Sequence, residues 1–408
     1  MGTRGLMVSI SQFNRLKEAI ALLPFDIQLL PKPAYFVGGI VRDSLLGRKR
    51  SYLDLDIVLP YNTVEIAQNI AEIYQAGFVI LDPIREIARV VFADITVDLA
   101  RQEGDTLIQD LYRRDFTINA IAFDIHEQII IDPVKGQEDL ISGLIKMISI
   151  NNLKDDPLRL LRAYRQSVQL GFVIESNTRG AICQLANSIS EVAAERVQTE
   201  LKYLLNLDQG INGLISAIED GLLSVWFHHI NNNSIAILSN WENTVNLYKF
   251  NTDDEYLSIA KLTCLLSDDP QKAEIELTNL KYSRQEIKSA IILIRNLAKL
   301  KSGKLSIREE YFLFKDVGLR FPALAILALS SGVNIEIISP LMEHYFNPDN
   351  QIAHPIPLLT GKEIMSSLNL KSSPQIGEIL TELAIARSEG KINTVEEALL
   401  LAKKLSSK

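Results

Sequence analysis

The sequence predicts an α+β fold: a small mixed β-sheet with helices at the N-terminal end, followed by a longer all-α region. Two observations carry this. From Tyr35 to about Ile131, short β-branched runs alternate with turns and one helical insert. After about Leu153 the strand signals stop, and amphipathic helices follow, separated by polar breaks such as NLDQG, NNNS, LSDDP and LKSGK. At 408 residues the chain exceeds one ordinary domain, and 47% hydrophobic with 23% charged residues is enough to build cores.

Taken in order, YFVGGIVRD opens the unit as a strand, a glycine turn and a helix start. LDLDIVLP reads as a strand, as do RVVFA and ITVDLA, with the helical spacing of VEIAQNIAEIYQ between them. AIAFDIHEQIIIDP reads as a hairpin, and Thr394-Val395-Glu396-Glu397 has the form of a capping box opening the last helix. The organisation this predicts is a mixed α/β head over 1–150, a helical neck over 151–205, a helical body over 206–305 and a helical tail over 306–408.

Composition excludes several classes. A net charge of −8 and a pI near 5.4 argue against a protein whose only work is to coat nucleic acid, and leave room for an enzyme with a local basic channel. Cys183 and Cys264 lie far apart in apolar helical contexts, so no disulfide framework is expected and both read as buried small hydrophobes in a reducing cytosol. The leader MGTRGLMVSISQFNRLKEAIALL is broken by Asn14, Arg15, Lys17 and Glu18, and no apolar run reaches bilayer length; the expected location is the cytoplasm, with no membrane partner.

The chemistry is concentrated in the head. Asp54 and Asp56 are one residue apart on a strand, so both carboxylates project from the same face. Two like charges side by side call for a cation, and hard oxygen ligands select magnesium. Upstream, Gly38-Gly39 forms a turn whose amides can approach a phosphate chain, with Arg42 one helical step away. A third carboxylate usually completes such a site. Asp98, in another apolar strand, is the candidate; its rival Asp94 sits at a turn between two strands, which suits a structural role.

Together FVGGIVRDSLLG, DLDIV and RRDFTINAIAFD resemble the head of the bacterial class II tRNA nucleotidyltransferases, the CCA-adding enzymes and their relatives the bacterial poly(A) polymerases. The likeness continues through DPVKGQEDLISGLIK, DDPLRLLRAYR and SEVAAERVQTELKYLL, and more loosely into LTGKEIMSSLNLKSSPQIGEIL and INTVEEAL. It implies a nucleotidyltransferase head, a neck bearing the helix that recognises the nucleobase, and a tail that binds tRNA. It gives Asp54 and Asp56 the catalytic metal role already argued, with magnesium, and sets Arg42 and Asp43 beside the incoming triphosphate; Asp98 keeps the catalytic role read from its strand, and Gly38 and Gly39 the phosphate contact read from their turn. Arg114, Asp115 and Asn119 match the family's ribose and phosphate contacts. A carboxylate with an amide can grip a 2′-hydroxyl, which donates and accepts.

In this family a Glu-Asp-x-x-Arg motif serves as a protein template for the base. Here it corresponds to Asp155, Asp156 and Arg159, the last two expected on one helical face. A carboxylate accepts from the exocyclic amine of cytosine or adenine, and uracil and guanine present a carbonyl there instead. Asp155 replaces the usual glutamate and shortens its reach. Arg162 and Arg165 continue the face, as phosphate contacts or as a solvated stripe. CCA-adding members carry a long polar loop before RRDFT, whereas VDLARQEGDTLIQDLYRRDFT is brief, as in the CC-adding branch. CTP is therefore the expected substrate on tRNA, with ATP if addition continues, and a separate A-adding enzyme if it stops. Lys281, Arg284, Lys288, Arg295, Lys299, Lys301 and Lys304 form a basic run that serves either RNA or solvent; Lys299, Lys301 and Lys304 are the RNA-binding candidates, with Lys362 and Lys371 beyond. His228-His229 stands apart from any metal pattern. The rival readings are poly(A) polymerase and a non-catalytic RNA-binding protein on the same fold.

Overall fold

The structure, a computed structural model, describes residues 10–48, 53–248 and 256–407; the first nine residues of the leader lie outside it. Among the described residues no helix is long and apolar enough to cross a membrane. Two compact units divide the chain, one running to Arg196 and including Glu219–Leu222, the other comprising Val197–Ile218 and the chain from Leu223 on. The segment read as neck thus belongs to the first unit as far as Arg196. Glu219–Leu222 is anchored there by Asp220, which accepts from Tyr164 Oη at 2.6 Å and from Arg179 Nε at 2.7 Å.

The first unit is built on a seven-stranded mixed sheet in the order β3-β4-β5-β2-β1-β6-β7. In chain order these are β1 (Tyr35–Val37), β2 (Leu53–Leu59), β3 (Gly77–Asp82), β4 (Ile87–Val91), β5 (Ile95–Arg101), β6 (Ala122–Asp124) and β7 (Ile130–Ile131). Among the described residues of this sheet only β2 and β5 pair in parallel, and β6 with β7 is the expected hairpin. Strand β3 was not legible in the sequence: it is an edge strand with Val79, Ile80 and Leu81 all about half exposed, so it lacks the alternation that marks a half-buried strand. Helices α1 (Ile10–Ala21), α2 (Gly39–Leu46) and α3 (Thr63–Tyr74) precede α4 (Leu107–Tyr112), and α5 (Gly136–Ser142) follows the sheet. Helices α2 and α3 pack on the sheet; Leu55, Ile57, Leu59, Val97 and Leu99 are fully buried, and the alternation leaves Asp54 and Asp56 on the opposite face.

Helices α6 (Ile150–Asp155), α7 (Leu158–Leu170) and α8 (Ser176–Leu185) complete this unit. Strand signal does not end at Leu153 as expected: β8 (Leu144–Ile145) pairs in parallel with β9 (Val173–Ile174), strands too short to leave a period in the sequence. The second unit is helical throughout its described residues, and its last helix, Val395–Ser406, opens with the anticipated capping box at Thr394 and Glu397. Cys264 is buried as expected but Cys183 is exposed. The buried stripe of α8 is Thr178, Ala181 and Ile182, and Cys183 lies one position round the helix from it.

Helix α5 holds the short turn Thr117–Asn119 in place: Thr117 Oγ1 donates to Asp139 at 2.7 Å, and a Cβ on Gly136 would stand 2.2 Å from the Thr117 carbonyl oxygen. Gly136→Ala is therefore expected to cost about 1–3 kcal/mol. Gly180→Ala, at a helical position with nothing within 4 Å, should hold or raise stability. Thermal unfolding of the two full-length variants tests this contrast.

Candidate active site

The acidic pair sits where three strands and a glycine turn meet. In the β2–β5 register Asp56 lies opposite Asp98 and Asp54 opposite Thr96, and in the β4–β5 register Arg89 lies opposite Asp98. One sheet face thus carries the row Arg89, Asp98 and Asp56, with Thr96 and Asp54 beside it. Thr96 Oγ1 donates to Asp54, which is exposed, and Asp56 is half-buried. Arg89 donates to both oxygens of Asp98, from Nε at 2.6 Å and from Nη2 at 2.8 Å. That hydrogen bond and the charges of Asp98, Asp54 and Asp56 push the Arg89 pKa up and keep it protonated. Arg89 is the cation sequence reasoning missed: its significance lies in a cross-strand register. Among the described residues no three His, Cys, Asp or Glu side chains are grouped as a metal-binding set. Asp94 lies in the bend between β4 and β5, as expected.

Gly38 ends β1 at φ 67° and ψ −127°, and α2 starts at the next residue. A Cβ there would stand 3.5 Å from Arg114 Nη1 and 3.6 Å from Asp56 Oδ2, ordinary contact distances, so it is the backbone angle that calls for glycine, and both side chains converge beside it. Arg114 is steadied by Asp110 at 2.9 Å.

Below this surface lies a buried network. Asp115 is 7% exposed; its Oδ1 accepts from the Phe116 amide at 2.8 Å and from Asn119 Nδ2 at 2.9 Å, and its Oδ2 from Arg162 Nε at 3.0 Å. Burial pushes this carboxyl up, but Arg162, the Asn119 and Phe116 hydrogen bonds and Arg159 outweigh it and lower its pKa to about 2. Arg42 is equally buried; it pairs with Asp43 at 2.9 Å and donates to Asn119 Oδ1 at 2.7 Å. Gln166 of α7 joins the same cluster, accepting from Asn119 Nδ2 at 2.9 Å. The sequence-predicted residues Arg42, Asp43, Asp115, Asn119 and Arg162 are thus brought together. Gln166 was missed because a polar residue on an amphipathic helix ordinarily faces water.

Asp156 and Arg159 line a cleft of about 630 Å³ with Arg85, Glu103, Arg113 and Arg114. They do not share a helical face. Helix α7 begins at Leu158, and Asp156 has extended backbone at φ −141°, because Pro157 disfavours helical geometry in the residue before it. Asp156 is paired with Arg196 at 2.9 Å, and Arg159 Nη1 is fixed on the carbonyls of Arg113 and Asn152 at 2.8 and 2.9 Å. Asp155, the last residue of α6, lines the same cleft. Between β5 and α4 only residues 102–106 intervene, and Glu103 is held by Arg113 at 2.8 Å.

Comparison with known proteins agrees with this architecture. Residues 34–146 match the model of the poly A polymerase head domain, 171–233 the probable RNA- and SrmB-binding site of polymerase A, and 250–402 the putative second domain of tRNA nucleotidyltransferases. The CC-adding tRNA nucleotidyltransferase of Synechocystis is 44% identical over 98% of this chain and 99% of its own length. The chain belongs to the tRNA nucleotidyltransferase family. The Geobacter sulfurreducens CC-adding enzyme is 29% identical over 91% of this chain and 92% of its own. The Thermotoga maritima CCA-adding enzyme, solved with tRNA, shares the fold at a TM-score of 0.73 and 23% identity, covering 96% of this chain and 98% of its own.

In the second unit the basic run lies on helix Arg284–Lys301 and beyond it. Arg284, Lys288, Arg295 and Lys299 are exposed at spacings of four and seven residues, one stripe of the helix, with Lys301 and Lys304 exposed at its end. Lys299 Nζ also donates to Asn296 Oδ1 at 2.9 Å. Lys362 and Lys371 are exposed, and His228 and His229 are surface residues, His229 lying 4.0 Å from Glu276.

Because the Asp115 pKa, about 2, is depressed below the ordinary 3.8, its charged network stabilises the fold above about pH 4 and that contribution is lost as pH falls towards 2. The expected loss is on the order of 2 kcal/mol. Thermal unfolding between pH 5 and pH 2 should show it, and Asp115→Asn should give a shallower decline.

Proposed function

We propose that this protein adds cytidines to the 3′ end of tRNA from CTP, without a nucleic-acid template, and stops at CC. The observation that carries nucleotidyl transfer is the converging set at the sheet face: Asp54 and Asp56 projecting together, with Arg114 and the Gly38 turn within reach of Asp56. The name of the Synechocystis relative, a CC-adding tRNA nucleotidyltransferase, supports the same substrate. The stopping point is supported by the short link 102–106 and by Glu103 held against Arg113. A short link of this kind leaves little freedom to change the shape of the base pocket between additions. Poly(A) polymerase shares the head motifs, and the name of the Synechocystis relative weighs against it. In this reading the site of action is the cytoplasm.

Asp54 and Asp56 fit a hard divalent cation, magnesium in this reading, since they offer carboxylate oxygens on one open face. When bound, that ion lowers the cost of charge at the reacting phosphate. The rest falls to the chain. The terminal 3′-hydroxyl of the tRNA attacks the α-phosphate of CTP, and pyrophosphate leaves. Gly38 and Gly39 offer backbone amides to the phosphates, Arg114 offers a guanidinium, and the third carboxylate Asp98 holds Arg89 beside the pair. Arg42 and Asp43 stand beside the triphosphate, and Asp115 and Asn119 fix the ribose end, with Arg162 compensating the buried charge of Asp115. Asp156 accepts from the cytosine amine and Arg159 donates to the neighbouring acceptor, with Asp155 at the rim. The tail and the basic stripe with Lys299, Lys301 and Lys304 hold tRNA phosphates.

Asp54→Asn and Asp56→Asn should each lower incorporation of labelled cytidine at least about a thousandfold and leave tRNA affinity unchanged. Persistent activity would overturn the assignment. On tRNA lacking CCA, CTP alone should give two additions and ATP should add nothing to a CC end; ready addition of the terminal A refutes the stopping point. Reversing Lys299, Lys301 and Lys304 to glutamate should weaken tRNA binding and flatten its salt dependence.

A further inference from the structure

We propose that Gln166 is a positioning residue that sets the preference for ribonucleotides, acting through Asn119 and Arg42. The proposal rests on the nucleotide-binding role given to those two residues above.

Gln166 lies in the middle of α7 and is 1% exposed, among Leu160, Leu161, Ala163 and Tyr164, which are also buried. An apolar side chain is the ordinary occupant of such a position, and a buried carboxamide is costly unless its polar ends are paired. Its partners account for it. Oε1 accepts from Asn119 Nδ2 at 2.9 Å and, at 3.4 Å, from Arg42 Nη1, while Nε2 lies 3.5 Å from Asp115 Oδ2. The short contact is the one to Asn119, so the acceptor end carries the interaction.

The consequence is orientation. Asn119 receives Arg42 on its oxygen and gives both amide hydrogens away, one to Asp115 at 2.9 Å and one to Gln166. Rotating that amide by half a turn would set its oxygen against the Asp115 carboxylate and the Gln166 carbonyl, and its NH2 group against a guanidinium. Asp115 and Gln166 together therefore admit one orientation of Asn119, and Gln166 reaches Arg42 as well. Without the Gln166 oxygen one Asn119 hydrogen is left buried and unpaired, and the amide gains freedom where a 2′-hydroxyl must be told from a hydrogen.

The test compares wild type, Gln166→Leu and Gln166→Glu as full-length proteins, measuring kcat and KM for CTP and dCTP on tRNA lacking CCA, with tRNA affinity and the unfolding midpoint beside them. Glutamate, kept protonated by burial beside the Asp115 carboxylate, retains an acceptor oxygen for Asn119 and a donor towards Asp115; leucine has neither. In Gln166→Leu, kcat/KM for CTP should fall about 10- to 100-fold, and that for dCTP by a smaller factor, so the ratio of the two narrows roughly tenfold. Gln166→Glu should keep that ratio within a few-fold of wild type, and tRNA affinity should be unchanged in both. Equal losses for CTP and dCTP that follow the unfolding midpoint would make Gln166 a packing residue and overturn the proposal. So would an unchanged ratio in Gln166→Leu, or a glutamate variant as unselective as the leucine one. Failure of the wild type to extend tRNA with CTP would instead strike at the proposed function.

Discussion

A carboxylate that stays ionised inside the protein, Asp115, holds the site together. A buried charge is tolerated only with its compensating partners in place, and removing one strands the other at a cost of several kcal/mol. The partners of Asp115 come from separate parts of the chain: Arg162 from α7, and Asn119 and the Phe116 amide from the turn after α4. Arg42 of α2 joins through Asn119. Helix α7 therefore cannot leave the strand-bearing part without exposing an unpaired charge. This gives a physical reason why the first compact unit extends beyond the sheet to include α7.

The surface of the site follows a related rule. Arg89 is matched to Asp98, Arg114 to Asp110, Arg196 to Asp156 and Arg113 to Glu103. An acidic chain can thus assemble a dense group of guanidinium groups without a strongly positive field at rest. A polyanion entering this region competes with resident carboxylates for groups already in position. The net charge of −8 is no obstacle to handling nucleotides, since what matters is which cations lie within a Debye length of the site.

Much of this was legible in the sequence, for reasons that differ by residue. Asp54 and Asp56 were legible because strand geometry fixes which neighbours share a face, and Gly38 because a turn beside a strand has few occupants. The parallel pairing that sets Asp98 opposite Asp56, and the antiparallel one that brings in Arg89, depend on contacts between separate strands, which a linear reading does not contain. Gln166 was invisible for a related reason: its burial is decided by what packs on α7. Asp156 departs from the expected helical face for a local reason, since Pro157 separates α6 from α7 and sets the residue before it in extended backbone. Cys183 went wrong by one residue of helical phase.

The break at Pro157 has a further meaning. Groups within one helix are spaced by a fixed rise and rotation, so a pair three residues apart is held about 60° apart around the axis and about 4.5 Å along it. Asp156 stands outside α7 on extended backbone and Arg159 stands within it, which frees the carboxylate to approach a planar partner from a different side than the guanidinium does. The pyrrolidine ring of one proline, by keeping two helices from fusing, releases a carboxylate from the helical lattice that holds the guanidinium, and in the proposed reading the two together meet one flat heterocycle.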